Sequence, residues 1–167
     1  MPRQRPPALD SPLTTRILKV VSRVNTFAYR ATDGYIGGKF PAHSGAPDGI
    51  PVCLLTTRGR KSGRLRTTPL LYLSDSTPEG ERVILVASQG GRARNPMWFR
   101  NLLAEPTVVV QTGGRMRRMR ARVADEQERA ELWPRLVELY PDYDAYQSWT
   151  DRVIPVVICE AATQPAI

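Results

Sequence analysis

Between Thr107 and Ala124 the chain reads TVVVQT, Gly113-Gly114, RMRRMRARVA, and this stretch leaves little choice of local structure. A β-branched run and an alternating run, joined by two glycines alone, predict a tight antiparallel hairpin. Four further segments share the β-branched or alternating pattern and are bounded by turn residues: Pro51 to Thr57, Arg64 to Leu73, Glu81 to Ser88 and Arg152 to Glu160. Helices separate some of them. Asn95 followed by Pro96 supplies an N-cap and a first-turn proline for PMWFRNLLAE, which Pro106 stops. Asp125 with Glu128 three residues later is a capping-box pattern for EQERAELWPRLVELY, with a kink or break expected at Pro134. Six short strands with intervening helices predict an α+β fold built on a small closed or split β-barrel. With 167 residues, 41% of them hydrophobic, one domain with a proper core is the expectation.

Charge narrows the function. The net charge is +8, carried almost entirely by arginine, since only Lys19, Lys39 and Lys61 are lysines. Arginine forks suit phosphates and carboxylates, so the expected partner is anionic. The connection LLTTRGRKSGRLRTTPL concentrates that charge: Arg58, Arg60, Lys61, Arg64 and Arg66 surround Gly59 and Gly63. Such a turn can cradle an anion with side chains and amides, or it can be an ordinary solvated turn. It is not a Walker loop, because the span between the first glycine and a GK pair is missing. A second glycine-rich loop, ASQGGRARNPMWF, follows a strand and precedes a helix N-terminus, where amides and the helix dipole favour anions. In LYPDYDAYQSWTDR, Tyr140, Tyr143, Tyr146 and Trp149 recur at every third residue, which is either a buried aromatic stripe or a pocket wall for a flat ring with polar edges.

The first 12 residues are rich in proline and read as a disordered tail without the apolar core of a secretory signal. Residues 13–50 hold an amphipathic helix and a Gly/Pro-rich connection, and 51–162 form the barrel. Leu13, Ile17, Val20 or Val21, Val24 and Phe27 recur at helical spacing beside Arg16, Lys19, Arg23 and Arg30. That helix either packs its apolar stripe on the core, lies on an anionic membrane surface, or lines the mouth of a site. No apolar run approaches the ~18 residues of a spanning helix, so the expected location is cytoplasmic, with peripheral contact at the inner membrane face left open. Cys53 and Cys159 sit singly in apolar runs and read as buried thiols. His43, the only histidine, stands in a Gly/Pro-rich stretch and is not expected to be catalytic; no metal site is evident.

From Gly34 to Glu160 the chain resembles the deazaflavin-dependent nitroreductase family of actinobacteria, on the motifs TTRGRKSGRLRTTPL, ASQGGRARNPMW and YPDYDAYQSWTDRVIPVV. The resemblance implies a split β-barrel and coenzyme F420 as hydride donor. It assigns the cofactor's phosphate and polyglutamate tail to Arg60, Lys61 and Arg66, with Arg58 and Arg64 as outer contacts. It sets Ala87, Ser88, Gln89, Gly90 and Gly91 beside the deazaflavin ring or its phosphate, with Asn95, Pro96, Met97 and Trp98 closing the far side. Ser88 and Tyr143 are the expected catalytic side chains, and Leu71, Tyr140 and Tyr146 shape the substrate pocket. The sequence departs from the family's pattern at Leu71 and Gln89, where a tyrosine and a lysine are usual. The first departure bears against nitroimidazole reduction, and the second weakens one tail contact. The implied reaction is hydride transfer to a quinone such as menaquinone, with nitroaromatics as adventitious acceptors. A rival keeps the barrel but binds FMN, or holds a cofactor without catalysis. The charge also suggests nucleic acid, with Arg118, Arg120 and Arg122 on one strand face opposite Met119, Ala121 and Val123. Against that, no aromatic alternates with those arginines as a stacking platform requires.

Overall fold

A computed structural model describes residues 4–7, 11–41 and 46–162. His43 and the tail segments 1–3 and 8–10 lie outside the described residues. The elements run α1 (Pro12–Ala31), β1 (Lys39–Phe40), β2 (Ile50–Arg58), β3 (Leu65–Leu71), β4 (Leu73–Thr77), β5 (Gly80–Val86), a 3-10 turn (Gln89–Gly91), α2 (Met97–Ala104), β6 (Thr107–Thr112), β7 (Arg115–Val123), α3 (Glu126–Leu139), α4 (Asp142–Ser148) and β8 (Val156–Ala161).

The predicted hairpin is the spine of the sheet. Thr112 pairs with Arg115 across a two-residue turn, and Gly113 takes a positive φ of 60°, which a side chain would disfavour. Along β7 the residues alternate: Met119 and Ala121 point into the core while Arg118 and Arg120 face solvent. All pairings are antiparallel and join the strands in the order β1-β2-β6-β7-β8-β5-β4, with β3 added to β2. The two ends of this curled sheet, β3 and β4, are consecutive in sequence and meet at Tyr72 without pairing. The barrel is therefore split along a seam beside β3. Inside it, Cys53, Leu55, Val83, Leu85, Val108, Val110, Met119, Val157 and Cys159 form one core with Trp98, Phe99 and Leu102 of α2. Both cysteines are buried and free.

Among the described residues there are eight strands where six were expected. The segment Arg64–Leu73 breaks at Tyr72 into β3 and the start of β4, whose sequence LSDST buries only Asp75 and so carries no apolar alternation to read. Pro69 sits inside β3, tolerable because β3 has a neighbour on one side only. The last strand starts at Val156, not Arg152. In α2 the N-cap is Pro96, since the Asn95 side chain is engaged elsewhere. The capping box at Asp125 and Glu128 forms as expected, with both reciprocal bonds, and α3 runs through Pro134 without a break.

Of the three placements open to helix α1, the structure bears against the first, in which its apolar stripe packs on the core. Ser11 caps it, and Tyr29 anchors its far end: the phenol donates to Val52 O at 3.0 Å and accepts from Gly113 N at 2.7 Å. The side facing the barrel is polar and half-buried, through Ser22, Asn25 and Thr26. Leu13, Ile17, Val20, Val21, Val24 and Phe27 all stay more than half exposed. Among the described residues no helix is long and apolar enough to cross a membrane.

Candidate active site

The seam opens into a cavity of about 240 Å³ where the ends of β3 and β5 meet α4. Pro69, Leu70 and Leu71 of β3 and Val86 of β5 form one wall, Tyr140, Tyr143 and Tyr146 another, and Phe40, Ser88 and Gly90 the rim. A larger hollow of about 550 Å³ lies at the other end of β5, lined by Glu81, Arg82, Arg122 and Glu160 among others. Its principal charges are already paired: Arg122 binds Glu128 at 2.8 Å and Glu160 at 2.9 Å, Glu81 binds Arg117 at 2.9 Å, and Arg82 binds Asp75. The seam cavity is the candidate site.

The expected tyrosine face forms, although not on one helix. Tyr140 is the C-cap of α3, while Tyr143 and Tyr146 belong to α4. The Tyr140 and Tyr146 hydroxyls bond at 3.0 Å, and the Tyr143 ring stands edge-on to Tyr140 with centroids 5.0 Å apart. Burial pushes the phenols of Tyr140 and Tyr143 well above the usual tyrosine range, so both are neutral at physiological pH. Tyr143 is only 5% exposed, yet its hydroxyl has no hydrogen-bond partner among the described residues. The Ser88 hydroxyl likewise makes no capping bond. Two hydroxyls without a partner among the described residues therefore face the chamber.

Beside them the chain turns sharply. Ser88 is right-handed helical, and Gln89 and Gly90 are left-handed, with φ of 46° and 63°. This alternation makes a concave nest of backbone amides suited to anions and carbonyl oxygens. The amides of Ser88, Gln89 and Gly90 have no partner among the described residues, whereas Gly91 N returns to Ser88 O at 3.0 Å. Gly91 has φ 75°, and a Cβ there would stand 2.8 Å from Tyr146 O, so the nest is pressed against α4. With its amide in the orientation that satisfies both ends, Gln89 donates to Arg94 O at 2.9 Å. Ala87, expected beside the ring, lies in the core; of the residues expected on the far side, Trp98 lies in the core, Pro96 is buried, Met97 is exposed and Asn95 accepts a bond from Arg152.

The basic turn occupies the opposite end of the β2-β3 hairpin. Arg58 Nη1 donates to Gly63 O at 2.8 Å, and Gly59 N bonds to Arg64 O at 2.8 Å. Arg60, Lys61, Arg64 and Arg66 are exposed, and their side chains have no ion pair among the described residues. From Arg66 to the cavity wall at Leu71 the strand advances roughly 17 Å. A flat ring in the chamber with an anionic tail along β3 fits this donor set. Two residues important to the geometry were not singled out in the sequence. Asn101 of α2 accepts from Arg60 N at 3.2 Å and donates to Thr57 at 3.3 Å, tying the turn to the core. Arg152 binds the nest loop from behind. Nothing in local pattern distinguishes either one; Arg152 only stands inside a motif that carries the resemblance.

A family model for the F420H(2)-dependent quinone reductase matches residues 21–161. The chain belongs to that family. Rv1261c of Mycobacterium tuberculosis, named an F420H(2)-dependent quinone reductase, is 38% identical over 139 residues, covering 81% of this chain and 87% of its own. Rv3178 of the same species, whose name assigns that activity provisionally, is 50% identical over 109 residues, covering 65% of this chain and 88% of its own. Among solved structures, an F420-H2 dependent reductase designated FDR-A is 41% identical with a TM-score of 0.60, covering 66% of this chain and 94% of that one. Another, described as a domain-swapped dimer, is 33% identical with a TM-score of 0.62, covering 89% and 96%. The family and the split-barrel fold agree with what the motifs imply.

Proposed function

We propose that this family member binds reduced coenzyme F420 along β3 and reduces a quinone in the seam cavity. The observation that carries the reading is the pairing of a phenol-lined chamber, holding two unpartnered hydroxyls, with a free cationic turn one strand-length away. Bound F420H2 supplies a hydride. Arg60, Lys61 and Arg66 hold the acidic tail, with Arg58 and Arg64 farther out. The nest amides at Ser88, Gln89 and Gly90 receive an oxygen of the ring or its phosphate. Leu71, Tyr140 and Tyr146 would align the acceptor with the bound cofactor and exclude water. Ser88 Oγ and Tyr143 Oη donate to the quinone oxygen as negative charge develops there. Because burial raises the Tyr143 phenol far above neutrality, it stabilises that charge as a hydrogen-bond donor and keeps its own proton. Solvent at the cavity mouth delivers the proton. Asn95, Pro96, Met97 and Trp98 serve as the frame of the nest loop.

Helix α1 supports a membrane-derived quinone as the substrate. Its exposed apolar stripe is flanked by Arg16, Lys19 and Arg23, the pattern of a helix lying in an anionic lipid surface. Leu71, in place of a phenol, leaves the β3 wall apolar and favours an isoprenoid quinone over nitroimidazoles. The test is F420H2 oxidation against a panel of quinones and nitroaromatics, with fluorescence titration of F420 and FMN. Quinone reduction with selective F420 binding is expected; FMN binding without F420 affinity would sink the proposal.

A further inference from the structure

Arg152 lies between α4 and β8, half-buried behind the nest loop. Its guanidinium makes four bonds to that loop: Nη2 to Ser88 O at 2.7 Å and to Ala87 O at 3.2 Å, Nε to Arg92 O at 2.9 Å, and Nη1 to Asn95 Oδ1 at 2.7 Å. No carboxylate among the described residues pairs with it. A fork-shaped cation spent wholly on backbone carbonyls and one amide fixes a curve in the chain. Carbonyls drawn back toward the guanidinium leave the amides of the same peptides pointing the other way. Those are the amides of Ser88 and Gln89, both unpartnered among the described residues, as is the next amide, Gly90 N; Ser88 and Gly90 line the cavity. The left-handed conformation of Gln89, uncommon for a residue with a side chain, needs such external restraint. Arg152 is itself held from both sides: its carbonyl accepts from Gln147 Nε2 at 2.8 Å, and Gln147 Oε1 accepts from Ile154 N at 2.9 Å.

We propose that Arg152 is a positioning residue for the reduction, setting the curvature of the 87–95 loop so that the nest amides and the Ser88 hydroxyl face the cavity. This rests on the F420H2-dependent reading of that cavity. Lysine at this position keeps the charge but not the fork, and can satisfy one or two of the four acceptors. The loop of such a variant drifts while the cationic turn, which grips the other end of the cofactor, is untouched. Affinity and rate then separate.

The test compares wild type with R152K and R152Q by F420 fluorescence titration, single-turnover oxidation of F420H2, and hydrogen exchange. R152K is expected to bind F420 within about threefold of wild type while hydride transfer falls about 10- to 100-fold, the scale of a misplaced reacting group. Exchange should accelerate in residues 86–96 and nowhere else. Transfer within twofold of wild type overturns the inference. So does a loss of affinity matching the loss of rate with protection lost across the sheet, or failure of both variants to fold, since either makes Arg152 merely structural. A wild type without F420 affinity would instead sink the reading of the cavity, and this inference with it.

Discussion

Replacing Tyr143 by phenylalanine removes a hydroxyl that no described residue uses and leaves the ring stacked among Tyr140, Tyr146 and Trp133. The fold therefore has little reason to change. If the hydroxyl stabilises charge developing on the acceptor, turnover should fall about 10- to 100-fold with F420 affinity within about twofold. The double replacement of Lys61 and Arg66 by alanine should do the reverse. Both side chains are exposed, so stability should hold, but cofactor affinity should drop at least about tenfold, and the slope of affinity against ionic strength should flatten. Titration and steady-state kinetics on the two variants measure this separation. Loss of affinity in Y143F with retained affinity in the double variant would reverse the division of roles. Both sets of side chains were legible in the sequence because charge clustered around glycines and aromatics at regular spacing stand out there. Arg152 and Asn101 were not, because what distinguishes each is its set of partners, which lie 41 to 65 residues away in the chain.

At the scale of elements, the hairpin of β6 and β7 and the capping box of α3 were readable because each is settled by neighbours in sequence. Strand β4 was not, since its pairing with β5 and the burial of Asp75 depend on charges brought by β5 and α3. The orientation of α1 was equally hidden. Periodicity shows that the helix has an apolar side, but Tyr29 and a row of small polar residues turn that side away from the barrel. The variant I17E/V24E tests what that side is for. Both positions are more than half exposed, so glutamates there should leave melting temperature within about 2 °C. Sedimentation with vesicles rich in anionic lipid should fall severalfold, because two apolar contacts are lost and two negative charges meet an anionic surface. Reduction of a short-chain soluble quinone should not change. Undiminished sedimentation would remove α1 as the membrane contact, and a change of oligomeric state in its place would assign the face to a second copy of the chain.

For the molecule as a whole, two acid–base clusters tie helix α3 to the sheet, and their titration sets how the fold tolerates acid. Arg122 of β7 bonds to Glu128 of α3 and to Glu160 of β8; the hydrogen bond from Arg122 outweighs partial burial and holds the Glu128 carboxyl at about 2. Burial alone would raise Asp75, but hydrogen bonds from Arg82 of β5 and Arg135 of α3 together leave its carboxyl below the usual range. Both are carboxylates with depressed folded-state values. Their stabilisation is therefore complete above the unfolded carboxylate range near 4, shrinks as the unfolded chain begins to take up protons below it, and is gone once pH passes the folded values. Stability should accordingly be flat from neutrality to about pH 5 and decline steeply below about pH 4. D75N removes one cluster's charge and leaves Arg82 with a poorer partner. Its cost should be about 2 kcal/mol at neutral pH, tempered because Arg135 is half exposed, and should lower the melting temperature by about 4–8 °C. The discriminating measurement is the difference between wild type and variant as a function of pH, since a side-chain amide at this position does not titrate. That difference should narrow as pH falls from 5 to 2. A constant gap across that range would mean that Asp75 holds α3 to β4 by its shape and neutral hydrogen bonds, with no contribution from its charge.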